Sequence, residues 1–205
     1  MNAPEEGTAA RPRVEGDREQ EILQATLDVL ADLGYDRLTM DAVASAARAS
    51  KATLYRRWSS KAALVAEAVC SQKTRPPLPD TGTLREDLLT AYCGMGVLRD
   101  PRGLALLAAV VTAMGRDEEF AEIYRRDFIT PSIKMTGALL ERAVARGEAR
   151  PDLDVSLVAP ALPGIVLHRV FLLGEEATPE LISRVIDQII LPAVAPTPNP
   201  KDSHG

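Results

Sequence analysis

Apolar residues recur along this chain at spacings of three and four positions, which is the pattern of helices that bury one face. The first such segment runs from Asp17 to Leu33, and Gly34 is suited to end it as a C-cap. Leu and Ala, which lose little on entering a helix, dominate the composition, whereas runs of β-branched residues are few. The pattern therefore predicts an all-α protein.

Residues 39–61 divide into two short helices. Thr39 can cap the first helix, and the apolar positions that follow share one face: Met40, Val43, Ala44 and Ala47. Ser50 can cap the second helix, which carries Leu54 and Trp58 four positions apart for packing. Two short helices joined by about three residues form a helix-turn-helix, whose second helix enters the major groove of DNA by its N-terminal end.

The same stretch is cationic, although the protein is acidic. The chain has 29 acidic and 24 basic residues and a net charge of −5, yet no acidic residue occurs from position 42 to position 66. The basic residues of that window are Arg48, Lys51, Arg56, Arg57 and Lys61. An acidic protein is not expected to coat nucleic acid or acidic membranes indiscriminately, so we expect any DNA contact to be confined to this segment.

Composition and periodicity divide the chain into five parts. We expect a disordered N-terminal arm, a helix-turn-helix head with a connecting helix, a proline-rich linker, a larger helical domain and a disordered tail, at residues 1–16, 17–74, 75–82, 83–194 and 195–205 respectively. In the larger domain, Thr83 and Glu86 form a capping box, and Pro131 is expected to kink or split a helix, with Thr130 capping the second half.

The last two predicted helices are unusually apolar. Residues 154–173 are apolar around the whole circumference, with Pro160 and Pro163 inside, and residues 178–194 carry two adjacent apolar rows. This favours a subunit interface in which two copies build a four-helix bundle; the alternative is an ordinary intrachain core. The interface candidates are Leu162, His168, Leu181, Val185, Ile186 and Ile189.

Several classes of protein are disfavoured. Cys70 and Cys93 lack the spacing of a disulfide framework or a metal site, and we expect no metal and no cofactor. With only His168 and His204, and no glycine-rich phosphate loop, the chain offers almost nothing to an enzyme. The N-terminus lacks the apolar core of a signal peptide, and the longest apolar run falls short of the roughly 20 residues of a membrane span, so a cytoplasmic protein is expected.

Residues 22–65 resemble the DNA-binding segment of the tetracycline-repressor (TetR/AcrR) family of bacterial regulators. The motif is made by Thr39, Val43, Ala44, Ser50, Lys51, Thr53, Leu54, Tyr55, Trp58 and residues 60–64. The resemblance implies an all-helical homodimer with a three-helix head, a connecting fourth helix and a larger helical domain that binds an effector and dimerises. One position departs from the family, because Arg48 stands where a glycine is usual; a left-handed conformation there would cost roughly 1–2 kcal/mol.

Carried over position by position, the family motif implies that Lys51, Ala52, Thr53 and Tyr55 face DNA, with Thr39 and Lys61 near phosphates. The complete set of predicted DNA-binding residues is Thr39, Arg48, Ser50, Lys51, Ala52, Thr53, Tyr55, Arg56 and Lys61. Lys51 can reach a guanine edge or a phosphate, and the Thr53 methyl can touch a thymine methyl. For Tyr55 the alternative is packing inside the head, for Trp58 core packing is favoured, and Arg56 and Arg57 can equally well be solvated.

The candidate effector pocket consists of apolar or weakly polar residues: Tyr92, Met95, Leu106, Met114, Phe120, Tyr124, Phe128, Val166 and Phe171. Methionine and aromatic side chains form adaptable cavities, which favours a hydrophobic or aromatic small molecule; the alternative for each residue is plain core. His168 can orient a ligand or lie at the dimer seam.

The leading hypothesis is a ligand-responsive repressor that binds a pseudo-palindromic, double-stranded DNA operator as a homodimer and is released by a small hydrophobic effector. Its two recognition helices must then reach major grooves about 34–36 Å apart. The alternatives are a helical adaptor that binds protein through the cationic segment, and an activator of the same family.

Overall fold

The computed structural model describes residues 11–72, 77–93 and 101–196, with side chains from residue 16 onward. This part of the chain is helical and contains no strand, which confirms the predicted fold class. The α-helices are α1 (Arg11–Arg37), α2 (Met40–Ala46), α3 (Lys51–Arg57), α4 (Lys61–Ser71), α5 (Leu84–Cys93), α6 (Pro101–Arg116), α7 (Glu118–Tyr124), α8 (Thr130–Ala145), α9 (Val155–Val158), α10 (Ala161–Leu173), α11 (Pro179–Val185) and α12 (Leu191–Val194).

The chain divides into two compact units. The N-terminal unit comprises Met1–Lys73 and Ala108–Tyr124, and the C-terminal unit comprises Thr74–Leu107 and Arg125–Gly205. The first boundary, between Lys73 and Thr74, lies just before the linker predicted at residues 75–82. The assignment of residues 108–124 differs from the prediction, because they join the unit that contains the helix-turn-helix and not the larger domain expected over residues 83–194.

The N-terminal unit is built on α1, whose predicted apolar face is buried from Ile22 to Leu30. The helix begins at Arg11, six residues before the predicted start, and its helical conformation breaks at Gly34, where φ is 74°. Leu33, expected on the buried face, is 39% exposed. The apolar side chains of α1 are therefore buried only where α2, α4 and α7 pack against the helix.

Three aromatic rings pack together in the core of the N-terminal unit. Phe120 is fully buried, with ring centroids 5.3 Å from Tyr35 and 5.7 Å from Tyr124, the latter pair stacked. The sequence predicts that Phe120 and Tyr124 belong to an effector pocket of the C-terminal domain. The structure corrects this assignment, because both side chains fill the core of the unit that carries the head.

The C-terminal unit packs α5, α8, α10 and α11 around one apolar core. Its fully buried members include Leu84, Leu88, Leu139, Leu140 and Ile186. One of the two bonds of the predicted capping box is present, because the Glu86 backbone N–H donates to Thr83 Oγ1 at 3.3 Å, whereas the Glu86 carboxylate pairs with Arg85. The neighbouring N–H of Leu84 donates to Glu148 Oε2 at 2.6 Å, which ties the start of α5 to the segment after α8.

The helix that contains Pro131 is not divided at the proline. The chain stays helical through Ile129, with φ −68° and ψ −52°, and Thr130 makes no capping bond, so the predicted cap is wrong. A π-helical segment, Arg125–Ile129, precedes the proline instead. Pro131 has no N–H for the carbonyl of Asp127, and a π turn pairs a carbonyl with the N–H five residues later. The wider π turn therefore accommodates the proline without ending the helix.

A second π-helical segment, Ile186–Ile190, lies just before Pro192 and changes which apolar row is buried. Sequence periodicity placed Ile189 in the row of Leu181 and Val185, but Ile189 is 45% exposed. Leu181, Val185, Ile186, Ile190 and Val194 are buried, so the extra residue of the π turn brings Ile190, in place of Ile189, to the buried side after Val185.

The apolar segment Val155–Leu173 is divided by a turn at Ala159 and Pro160 into α9 and α10. Its 19 residues have a mean hydropathy of 1.7, enough by length and composition to cross a membrane, and 22% of that window is buried. Length and composition do not distinguish a span from a helix that packs on another protein surface. The segment nevertheless leaves much apolar surface uncovered within the C-terminal unit.

The predicted dimer-interface residues separate into two groups. Leu162, Leu181, Val185 and Ile186 are buried in the C-terminal unit's own core, which corrects their assignment to an interface. His168 and Ile189 are exposed. The exposed large apolar side chains of α9, α10 and the second π-helical segment are Leu157, Phe171, Leu172, Leu173 and Ile189. Exposed apolar surface is therefore present in the predicted region, but of the predicted apolar residues only Ile189 contributes to it.

The remaining pocket candidates do not fall together. Met114 lies in the N-terminal unit with Phe120 and Tyr124, and Met95 lies outside the described residues. The candidates in the C-terminal unit are Tyr92, Leu106, Phe128, Val166 and Phe171. Tyr92 is buried, with its hydroxyl 2.7 Å from that of Thr136, and Phe171 is 37% exposed.

Candidate DNA-binding surface

A hydroxyl side chain caps each of the three short helices that follow α1. Thr39 Oγ1 accepts from the Ala42 N–H at 3.1 Å, Ser50 Oγ from the Thr53 N–H at 3.1 Å, and Ser60 Oγ from the Ala63 N–H at 3.0 Å. The caps predicted at Thr39 and Ser50 are confirmed. Each cap satisfies one of the backbone donors that a helix start leaves unpaired, so these helices of 7 to 11 residues begin at defined positions.

The buried faces of α2 and α3 are those that the sequence predicts. Met40, Val43 and Ala44 are buried on α2, Ala47 is buried at its C-cap, and Leu54 is fully buried on α3. Trp58 is 2% exposed and its Nε1 donates to Glu67 Oε2 on α4 at 3.0 Å, so it belongs to the core, as predicted. These contacts fix the orientation of α3 and leave its opposite face to solvent.

The turn between α2 and α3 contains a residue in the left-handed conformation. Arg48 has φ 50°, the only positive φ of a non-glycine residue in the described part of the chain. Arg18 of α1 holds this turn, because its Nη2 donates to the carbonyl oxygens of Ala47 and Arg48, each at 2.8 Å. Arg48, which stands where the family usually has a glycine, therefore has a strained backbone conformation, and the Arg18 guanidinium stabilises the turn that contains it.

The solvent-facing side of α3 presents the predicted DNA-binding residues. Lys51, Ala52 and Arg56 are exposed, and Tyr55 is 54% exposed, which excludes the alternative that Tyr55 packs inside the head. Thr53 is half-buried, with its hydroxyl 2.8 Å from Ser50 Oγ. The N-terminal turn of α3 therefore offers an ammonium, hydroxyls and a methyl group, the groups that read base edges and phosphates.

Lys61, a predicted DNA-binding residue, and Arg57, another basic residue of the same segment, contact other groups of the protein. Lys61 Nζ donates to the Tyr35 carbonyl at 3.2 Å and lies 4.1 Å from the Tyr35 ring centroid, so its ammonium is directed into the N-terminal unit. Arg57 donates to Glu19 and Glu67, each at 2.9 Å, and so joins α1, α3 and α4. Both cations therefore make their contacts within the N-terminal unit.

Tyr35 also reaches the start of α7. Its hydroxyl donates to Asp117 Oδ2 at 2.6 Å, while Asp117 Oδ1 accepts from the Phe120 N–H at 3.1 Å. The hydrogen bond from Tyr35 lowers the pKa of Asp117, and burial together with Asp117 raises the pKa of Tyr35. Both groups therefore keep the protonation states that this bond needs, and residues 117–120 are attached to the head.

Sequence reasoning missed two residues of this surface. Arg18 supports the turn from 30 positions away, and no local pattern reveals such a contact. Asp41 forms an ion pair with Lys51, with Oδ1 and Nζ 2.6 Å apart. Its signal was available, because Asp41 stands immediately before the segment that lacks acidic residues. Among the described residues no cluster of three or more potential metal ligands occurs.

Family models match both halves of the chain. Residues 22–68 match the model described as "Bacterial regulatory proteins, tetR family", and residues 78–189 match "Tetracyclin repressor-like, C-terminal domain". The first match contains the whole surface built by α2 and α3. The second covers more than half of the chain.

Proteins that are similar to this chain in sequence or structure are also transcriptional regulators. The DNA-binding transcriptional repressor TetR of Mycobacteroides abscessus is 36% identical over 184 residues, covering 87% of this chain and 95% of that protein. The HTH-type transcriptional regulator YdeS of Bacillus subtilis is 33% identical over 177 residues, covering 86% and 89%. The TetR family transcription regulator SCO0332 has 30% identity and a TM-score of 0.64, covering 88% of this chain and 100% of its own. This chain belongs to the TetR family of DNA-binding transcriptional regulators.

Proposed function

We propose that the protein represses transcription in the cytoplasm by binding a pseudo-palindromic operator as a homodimer, and that a small hydrophobic effector releases it. The observation that carries the proposal is the N-terminal turn of α3, where Lys51 and Tyr55 are solvent-facing while Leu54 is fully buried. A helix held in this way can insert its exposed side chains into a major groove without unfolding the head.

The exposed apolar side chains of the C-terminal unit support a dimer. Leu172 is 73% exposed and Leu173 is 55% exposed on a helix whose mean hydropathy would suit an interior. Covering such side chains with a second copy removes apolar area from water, and two-fold symmetry doubles every contact. A dimer also presents two α3 helices, as a palindromic site requires.

The effector proposal is supported by the C-terminal unit and by one relative. Tyr92, Leu106, Phe128, Val166 and Phe171 are apolar or aromatic residues of the C-terminal unit, and such residues line the sites that bind small hydrophobic molecules. A solved structure with 25% identity and a TM-score of 0.64, covering 88% of this chain, is titled Flavonoid-responsive Regulator FrrA. Flat aromatic polyphenols are therefore the first effector class to test.

Fluorescence anisotropy tests the DNA-binding proposal. The purified protein is titrated against a labelled duplex from the region upstream of its own gene and against a scrambled duplex, at several salt concentrations. We expect tight binding to the first duplex alone, weakened by Lys51→Ala and by Tyr55→Phe and unchanged by Lys134→Ala, which removes an exposed lysine of the C-terminal unit. Since phosphate contacts dominate affinity, binding should weaken steeply with salt.

Two outcomes decide between this function and its rivals. If neither that duplex nor any duplex selected from a random pool binds, the repressor proposal fails and a protein-binding adaptor becomes the better hypothesis. If DNA binds, a promoter reporter separates repression from activation by the sign of its response. Flavonoids added to the complex should lower the anisotropy; a complex that withstands a panel of aromatic compounds contradicts the effector class only.

A further inference from the structure

An exposed ion pair lies at the tip of the DNA-binding surface. Lys51 is the first residue of α3 and Asp41 lies in the first turn of α2, and Lys51 Nζ is 2.6 Å from Asp41 Oδ1. Each side chain is 61% exposed, so both groups remain in contact with solvent. Asp41 is thus the acidic group paired with a lysine that the surface offers to DNA.

Stability alone does not account for the lysine of this pair. Exposed ion pairs typically contribute about 0–1 kcal/mol. A cation in the first turn of a helix also faces the positive end of the helix dipole, which costs about 0.3–1 kcal/mol. A neutral residue at position 51 would therefore serve folding equally well. Lys51 is better explained by an anion outside the protein, and Asp41 then competes with that anion for the same ammonium.

We propose that Asp41 is a specificity-determining residue that restrains Lys51 and thereby weakens binding to DNA without the operator sequence. The proposal rests on the DNA-binding function proposed above. On DNA without the operator sequence, binding is dominated by phosphate contacts, and a phosphate that approaches Lys51 also approaches the Asp41 carboxylate and is repelled by it. At an operator, Lys51 can meet guanine O6 and N7, which carry no formal charge and therefore repel Asp41 much less than a phosphate does.

The arrangement predicts an asymmetric response to neutralising Asp41. In Asp41→Asn the lysine is released, so affinity for the scrambled duplex should rise about three- to tenfold at low salt, because one attractive charge is no longer compensated. Affinity for the operator should change by less than about threefold. The salt dependence of scrambled-duplex binding should steepen by roughly 0.9 per protomer, since each released lysine can neutralise one more phosphate.

Two variants separate this role from a general change of charge. Asp32→Asn neutralises an exposed carboxylate on α1 and makes the same change in net charge, so it should leave the ratio of operator to scrambled affinity unchanged. In the background of Lys51→Ala, Asp41→Asn should have no effect on the scrambled duplex, because the group it restrains is gone. Thermal unfolding of each variant confirms that the head remains folded.

Each remaining outcome overturns the proposal. The proposal is contradicted if Asp41→Asn binds the scrambled duplex no more tightly than the wild type, or if the affinities for both duplexes rise equally. It is also contradicted if Asp41→Asn still raises the affinity for the scrambled duplex in the Lys51→Ala background. A marked loss of operator affinity would show instead that Asp41 contacts DNA, for example a cytosine amino group. The wild-type titration keeps the two proposals apart: equal binding of both duplexes defeats the proposed function, whereas discrimination that Asp41→Asn leaves intact defeats only this inference.

Discussion

The helices of residues 39–71 and those of residues 155–194 reach the same secondary structure by different means. In the first region every helix starts at a hydroxyl cap, buries one face and exposes charged or polar groups on the other. In the second region a proline-containing turn and a π-helical segment interrupt the helices, and large apolar side chains such as Leu172 remain exposed. The first surface is suited to a polyanion, and the second to another apolar surface.

The comparison teaches that the two regions carry different kinds of incomplete surface. The head is complete as a folded object, since its core is closed and the exposed groups of α3 are polar apart from Tyr55 and Ala52. The C-terminal unit has a closed core as well, but Phe171, Leu172 and Leu173 still project from it. Variants in the second region should therefore change association, whereas variants in the first should change folding or DNA affinity.

The largest effect is expected from Leu172→Glu. Two carboxylates per dimer would replace two leucines at the proposed interface, and losing the apolar burial alone costs about 3–6 kcal/mol for the pair. Sedimentation should show a monomer, and operator affinity should fall at least a hundredfold. Val111→Glu, which places the same charge at a 53% exposed valine of the N-terminal unit, should remain a dimer. A dimeric Leu172→Glu protein would remove this helix from the interface.

A smaller effect is expected from Asp87→Asn, which tests whether the C-terminal core depends on one buried carboxylate. Asp87 is fully buried and accepts from the Thr81 N–H at 2.7 Å, the Thr81 hydroxyl at 2.8 Å and Arg146 Nη2 at 3.0 Å. The neutral side chain removes one of the carboxylates that pair with Arg146, which keeps Glu148 and Asp80, so chemical unfolding should show a loss of about 1–3 kcal/mol. Asp152→Asn, at an exposed aspartate paired with Arg150, should cost almost nothing.

The pKa of Asp87 predicts how the stability difference between the wild type and Asp87→Asn changes with pH. Burial would raise the pKa of Asp87, but the hydrogen bonds from Thr81 and Arg146 outweigh it and lower the pKa below its ordinary value. A carboxylate with a lowered folded-state pKa adds stability above the unfolded value of about 3.9, and that stability disappears as the pH falls through the folded-state pKa. The gap between wild type and Asp87→Asn should therefore narrow on acidification, and a constant gap would contradict this.

How far the sequence predicts these regions follows from the range of the interactions. The caps at Thr39 and Ser50 are local, so composition and spacing over four residues suffice to predict them. The exposure of Ile189 depends on a π turn that no helical periodicity contains. Phe120 is apolar at helical spacing, but only the tertiary fold shows that it packs against Tyr35, 85 positions earlier.

The head can be weakened from outside its motif by Arg18→Ala. This change removes two charge-assisted hydrogen bonds to the carbonyls of Ala47 and Arg48, so we expect a loss of about 1–2 kcal/mol in the free energy of unfolding and weaker operator binding. Arg37→Ala is the matched control, because Arg37 Nε donates to Leu33 O within its own helix. Equal behaviour of the two variants would show that Arg18 does not support the turn.

The smallest expected effect is a gain in stability that accompanies a loss of function. Arg48→Gly relieves the left-handed strain at φ 50°, and after the extra chain entropy of glycine the free energy of unfolding should rise by about 0.5–1 kcal/mol. If the Arg48 side chain contacts a phosphate, operator affinity should fall and the salt slope should decrease by roughly 0.9 per protomer. Arg48→Ala separates the two effects, because it removes the guanidinium but keeps the strained Cβ. It should lose affinity without gaining stability, and a gain in Arg48→Ala equal to that of Arg48→Gly would show that charge, not backbone strain, is what position 48 costs the head.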